Sequence, residues 1–146
     1  MRPRPIEHRP AAPESDADDL VVPLDGTPAS VAGARRAVDA YLGPRLTDAE
    51  LGDVRLLVSE LASNAVRHGG DGGAVLTLGC DLRKVRAVIV DHGEGFVPPR
   101  RAIDVPGEPV DALAEGGYGL SLVARLASRW GVDAEGGTRV WFELDR

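Results

Sequence analysis

The chain has a single cysteine, Cys80, so it can build neither a disulfide framework nor a cysteine-based zinc cluster. Its place in an apolar run predicts a small buried hydrophobe. Aromatic residues make up only 4% of the chain, which leaves Val, Leu and Ala to fill a core and gives no platform for stacking single-stranded bases. There is no excess of positive charge. Lys and Arg number 17 against 23 Asp and Glu, giving a formal net charge of -6. With an isoelectric point near 5.0, this argues against direct contact with nucleic acid or an anionic membrane surface. No apolar run approaches the roughly 20 residues of a membrane span, and the N-terminus lacks the apolar centre of a signal peptide. The expectation is a cytoplasmic protein whose partners are proteins or small ligands.

What is present suits one domain. The chain has 146 residues, 43% of them hydrophobic, which is enough for a single core and leaves no room for a second catalytic domain. Residues 1–19, "MRPRPIEHRPAAPESDADD", are rich in proline and charge and predict a disordered tail. The domain is expected over 20–146. "LVVPL" reads as a short strand whose Pro23 suits a sheet edge. "TPASVAGARRAVDAYL" reads as a helix with Thr27 as N-cap and Pro28 in the first helical position, stopped by Gly43 and Pro44. "TDAE", Thr47 to Glu50, fits a capping box, and Leu51, Val54, Val58, Leu61 and Ala65 then form one apolar stripe. "AVLTLGCDL" and the run from Val85 read as a hairpin. Residues 97–115 are long enough for a lid or binding loop. "YGLSLVARLASRW" has Leu120, Val123, Ala124, Ala127 and Trp130 at helical spacing, and "GTRVWFEL" closes the chain as a strand. This order predicts an α+β fold, a two-layer α/β sandwich with a mixed or antiparallel sheet and helices on one face.

Three short motifs carry the chemistry. In "SELASNAVRHGG", Glu60 and Asn64 share a helix face at i and i+4, beside the apolar stripe. A carboxylate there can accept a proton, and the amide oxygen can bind a hard cation such as Mg2+. An ordinary polar helix edge is the rival reading. "DHGEGF", Asp91 to Phe96, follows a strand, and its glycines let the backbone pass close to a flat ligand while the acid accepts a hydrogen bond from an amine. A plain turn explains it as well. "GGYGLSLV" opens a helix with Gly116, Gly117 and Gly119, whose amides can cradle phosphate, although the stretch is neither a Walker A loop nor a dinucleotide fingerprint. Together, a base with a metal ligand, an amine acceptor and a phosphate cradle make a nucleotide site.

"ELASNAVRHG", "DHGEGF" and "GYGL" resemble the N, G1 and G2 boxes of the GHKL ATPases, the superfamily of gyrase, heat-shock chaperone and histidine-kinase ATP domains. The likeness covers nearly all the chain beyond the tail. Size, the "ARRAV" helix, the Glu60–Asn64 spacing and the final strand look like the small bacterial anti-sigma factor serine kinases, and most of all like the stand-alone regulators of actinomycetes. The resemblance implies a Bergerat-type ATP-binding fold with ATP and Mg2+ as cofactors. Glu60 would be the general base, and Asn64 would hold Mg2+. Asp91 would accept the adenine amine, with Gly93 and Gly95 close to the base and Thr138 assisting. Gly117, Gly119 and the amide at Leu120 would cradle phosphates beneath a lid. Implied partners are a sigma factor and a STAS-type anti-sigma factor antagonist, phosphorylated on serine or threonine, and a homodimer is left open. Arg35 and Arg36 lie where such proteins use the first helix to contact partners, while Arg67 and His68 flank the site. The lid lacks the basic or threonine-rich elements of some relatives, which keeps a non-catalytic ATP-binding regulator as the alternative. A detached histidine-kinase domain would need a phosphoacceptor histidine, yet His8 lies in the tail and His68 and His92 lie in the boxes.

Overall fold

The computed structural model describes residues 18–68, 72–91, 120–133 and 138–146. Among these, strand β1 spans Leu20–Leu24, followed by helices α1 (Ala29–Leu42) and α2 (Asp48–His68). The hairpin of β2 (Ala74–Cys80) and β3 (Lys84–Asp91) comes next, then α3 (Ser121–Leu126), β4 (Arg129–Asp133) and β5 (Thr138–Asp145). The five strands form one sheet in the order β1-β2-β3-β5-β4. Every pairing is antiparallel, which settles the sheet type that the sequence left open.

Local chemistry sets the boundaries. The Asp25 carboxylate accepts bonds from the Thr27 amide and hydroxyl, while the Thr27 carbonyl receives the Ser30 amide and hydroxyl. Thr27, the expected N-cap, thus lies one position before the cap, which Pro28 occupies with φ -56°, and α1 begins at Ala29 rather than at Pro28. The capping box at α2 forms in both directions. The Glu50 amide donates to Thr47 Oγ1 at 3.1 Å, and the Thr47 amide donates to Glu50 Oε1 at 2.9 Å. In the β2–β3 turn, Asp81 Oδ1 accepts the amides of Arg83 and Lys84.

Both long helices lie on one face of the sheet. Strand alternation turns Leu76, Leu78, Val85, Ala87, Ile89, Val140, Phe142 and Leu144 toward them, where Ala34, Val38 and Leu42 of α1 and Val54, Leu57, Val58 and Leu61 of α2 complete the core. Each fully buried Leu or Val there contributes about 1.5–3 kcal/mol relative to exposure.

The helix expected to run through Trp130 ends instead at Leu126. Ala127 is extended, with ψ 147°, and Arg129–Asp133 pairs with β5 as an edge strand, Trp130 opposite Phe142 and Val132 opposite Val140. Trp130 and Val132 continue the apolar spacing of α3, but strand alternation points them at the core equally well. Pairing with β5 decides between the two periods.

The sheet's outer face carries a ladder of charges. Arg86 meets Asp19 at 3.2 Å and Asp81 at 3.7 Å, Lys84 meets Glu143 at 3.0 Å, and Arg129 meets Glu143 at 2.7 Å and also Asp145. At the N-terminal edge the Asp18 carbonyl accepts a bond from the Tyr41 hydroxyl.

Candidate functional site

Helix α2 reaches the end of the sheet that matters because its start is pinned at the other end. Arg146, just past β5, donates to the Arg45 carbonyl at 2.9 Å, to the Asp81 carbonyl at 3.0 Å and to Glu50. The first turn of α2 therefore sits beside the end of β5 and the start of β3. From Glu50 to Asn64 the helix rises roughly 21 Å at 1.5 Å per residue. From Lys84 to Asp91 the strand advances about 23 Å at 3.3 Å per residue. Helix and strand run side by side for the same distance, so Asn64 and Asp91 arrive at the same end of the sheet.

Thr138 is there as well. It is the first residue of β5 and the register partner of Asp91, the last of β3, while Ala74 of β2 faces Asp91 from the other side. Asp91 and Thr138 are buried, and each has an interaction with a partner. Leu120 is fully buried at the start of α3, and α3 packs against α2.

Among the described residues, the buried polar side chains are Ser30, Asn64, Arg86, Asp91, Thr138 and Glu143. Three of them are satisfied within the framework, because Ser30 caps α1 while Arg86 and Glu143 belong to the outer ladder. The other three are the ones expected to hold a nucleotide. Asn64 stands out even here. It is 1% exposed, and neither its Oδ1 nor its Nδ2 has a hydrogen-bond partner. A buried unsatisfied amide costs about 1–3 kcal/mol, a cost that a bound ion, water or ligand group offsets when it supplies the missing partners.

The donor set fits Mg2+ carried by phosphates. Among the described residues no group of three His, Cys, Asp or Glu side chains could cage a metal. Magnesium commonly takes one or two protein oxygens and fills its other positions with water and phosphate oxygens, and the unsatisfied Asn64 Oδ1 is an oxygen of that kind.

Glu60 lies at the solvent edge of the same helix face. It is half-buried and lines a groove between α1 and α2 with Arg35, Arg55, Leu56, Ser59 and Ser63. One turn before Asn64 on the same helix face, the Glu60 carboxylate borders solvent where the Asn64 amide is buried. Arg35 donates to Ser59 Oγ at 2.8 Å, and Arg55 is held by Asp39 across the helix pair. Arg36 lines a separate groove between β1 and α1. Arg67 is exposed and has an interaction. Gly93, Gly95, Gly117 and Gly119 lie outside the described residues. Sequence reading missed Ser59 and Ser63, which appear as polar groups beside Glu60 only once α1 closes the groove.

The model of the histidine kinase-like ATPase domain matches residues 24–144. The chain belongs to that family. Relatives in sequence include the serine-protein kinase RsbW of Bacillus subtilis, 29% identical, and that of Bacillus pumilus, 31% identical, each match covering 62% of both chains. The RsbW of Oceanobacillus iheyensis is 33% identical over 51% of this chain and 52% of its own. The chain thus spans less than two thirds of the length of these curated relatives. A crystal structure of the RsbU and RsbW domains of a Mycobacterium tuberculosis protein aligns with a TM-score of 0.64 at 20% identity, covering 89% of this chain and 33% of that one. This likeness supports the ATPase-domain fold. The family match also places Asn64, Asp91 and Thr138 within one domain of an ATPase type.

Proposed function

We propose that the protein is an ATP-dependent protein serine/threonine kinase that regulates a sigma factor by phosphorylating a STAS-type antagonist. The observation that carries this reading is the orphaned amide of Asn64, buried at the end of the sheet that also holds Asp91 and Thr138, with Glu60 one turn away at the border of an open groove. The family of the chain and the serine-protein kinase relatives support the same activity.

ATP with Mg2+ would supply the phosphoryl group and neutralise its charge. Asp91, buried at the strand end, accepts the adenine amine, and Thr138 beside it steadies that contact. Asn64 would give one oxygen to the metal. On this reading Gly93 and Gly95 would lie against the base, and Gly117, Gly119 and the Leu120 amide would hold phosphates. Glu60, reachable from the groove, takes the proton from an incoming serine or threonine hydroxyl as its oxygen attacks the terminal phosphorus, and ADP leaves with the bridging oxygen. Positioning and charge supply most of the acceleration in such transfers. A cytoplasmic setting follows from these partners; no described helix is long and apolar enough to cross a membrane. The domain is taken as 20–146.

The test is incubation of the purified protein with γ-labelled ATP, Mg2+ and candidate antagonists. Label on an antagonist serine that disappears with Glu60→Gln supports the kinase. ATP binding without transfer to a cognate antagonist would leave a regulator that acts by association alone.

A further inference from the structure

We infer that Ser59 is a positioning residue for the phosphoryl transfer, an inference that rests on Glu60 as its base: the Ser59 hydroxyl holds the Arg35 guanidinium on the α1 side of the groove and so leaves the Glu60 carboxylate free to accept a proton. Three charged side chains line this groove, Arg35 from α1 with Arg55 and Glu60 from α2, and Asp39 of α1 stands beside them. Two of the four pair with each other, since Asp39 Oδ1 accepts from Arg55 Nε at 2.9 Å and from a terminal nitrogen at 2.6 Å. The other two do not. Among the described residues no ion pair joins Arg35 to Glu60, and Arg35 spends its Nε–H on Ser59 Oγ at 2.8 Å. Opposite charges lining one groove attract, and a guanidinium clamps a carboxylate through two parallel bonds where it can reach one. The bond to Ser59 competes with that pairing.

Local geometry equips Ser59 for this. It donates its own hydroxyl proton to the Arg55 carbonyl, one turn back, at 2.8 Å, as helical serines often do. With that proton committed to the helix, the oxygen has only lone pairs left for α1, so it accepts from Arg35 and cannot donate to it. Hydrogen bonds in such a chain polarise one another, which makes the hydroxyl a better acceptor. Anchoring Nε also fixes the direction of the whole planar guanidinium. Around α2, Glu60 lies about 100° beyond Ser59, toward Asn64. Between these two rims are Ser63 and Gly52, where a Cβ would meet nothing within 4 Å, so the floor stays open to an incoming segment.

The consequence is chemical. A carboxylate clamped by a guanidinium has its oxygens occupied by N–H donors, and an arriving serine hydroxyl finds no acceptor. With Arg35 held at Ser59, the proton of that hydroxyl passes to Glu60 while its oxygen bonds to the terminal phosphorus and ADP leaves. Ser59 touches neither nucleotide nor acceptor and acts through Arg35.

The test compares phosphoryl transfer to a STAS-type antagonist by the intact chain, Ser59→Ala, Ser59→Thr, and Ser59→Ala combined with Arg35→Met. Ser59→Ala lets Arg35 pair with Glu60, so kcat should fall about tenfold or more, while the KM for antagonist and the ATP affinity stay within about twofold. Threonine keeps the hydroxyl, and Ser59→Thr should retain the rate. Removing Arg35 from the Ser59→Ala protein should restore most of the lost kcat at saturating antagonist, since no guanidinium is left to occupy the base. Normal kcat in Ser59→Ala overturns the inference. So does a loss that Arg35→Met fails to reverse, which would make the bond only a tie between helices. In the chain alone, without nucleotide or antagonist, nuclear Overhauser contacts between the Arg35 δ and Glu60 γ protons should strengthen several-fold in Ser59→Ala, and unchanged contacts overturn the inference whatever the activity. Strengthened contacts with no transfer by the intact chain overturn the kinase reading rather than the hold of Ser59 on Arg35.

Discussion

Asp91 and Thr138 face one another as register partners, the last residue of β3 against the first of β5, and both are buried at the end of the sheet reached by α2. Two polar side chains are thus held side by side at a strand end by the backbone ladder rather than by a loop. Rigid elements fix such groups more closely than loops do.

The proposed role of Asn64 sets stability against function. Asn64→Leu removes two unsatisfied buried polar atoms and keeps most of the volume, so the ligand-free protein should gain about 1 kcal/mol. ATP affinity in the presence of Mg2+ should fall in the same variant. Chemical denaturation and calorimetric titration read the two effects separately, and a loss of stability would show that Asn64 is satisfied within the fold.

Leu57 and Leu61 hold α2 against the sheet and are 0% and 1% exposed. Leu57→Ala should cost about 2–5 kcal/mol by removing buried atoms and leaving a cavity. Leu56→Ala, on the exposed side of the same helix, should change stability by less than about 0.5 kcal/mol. Urea unfolding of the pair measures the contrast.

The outer ladder makes stability depend on acid. Burial pushes the Glu143 carboxyl up, but hydrogen bonds from Arg129 and Lys84 outweigh it and hold the group below its ordinary range. Hydrogen bonding to Arg129 lowers Asp145 as well. For a carboxyl lowered by folding, the stabilisation is full above the unfolded pKa, about 4, and is lost as pH falls through the lower native value. The thermal midpoint should therefore hold steady from neutral pH to about 5 and fall below about 4. Glu143→Gln should flatten that fall, and an unchanged acid slope would mean that the ladder does not couple to folding.

Glu60 should separate chemistry from binding. Glu60→Gln leaves Asn64, Asp91 and Thr138 in place, so ATP affinity should stay within about twofold while phosphoryl transfer drops by roughly 10²–10⁴. Single-turnover transfer to the antagonist checks the rate. Retained transfer would move the base to another residue.

Much of this arrangement was legible in the sequence. Thr47 and Glu50 form the capping box that their spacing implies, and the stripe from Leu51 to Ala65 faces the core as its period requires. Strand β4 was not legible, because Ala127 and Trp130 prolong the apolar period of α3, and only pairing with β5 turns that segment into a strand. Gly131, where a side chain would collide with the Trp141 indole, was the available sign. The Asp19–Arg86 bridge joins residues 67 positions apart, a contact that no local pattern announces. The placement of Glu60 in a groove with Ser59 and Ser63 likewise depends on where α1 packs. Asn64 could be placed on a helix face from spacing, but its lack of partners is a property of the assembled core.

The most direct measurement is calorimetric titration of the intact chain and of Asp91→Asn with ATP and Mg2+. The expected result is saturable binding by the intact chain, weakened roughly tenfold or more when the hydrogen bond to a charged carboxylate is lost. No binding by the intact chain, or equal affinity in the two proteins, would contradict a nucleotide site built around Asp91.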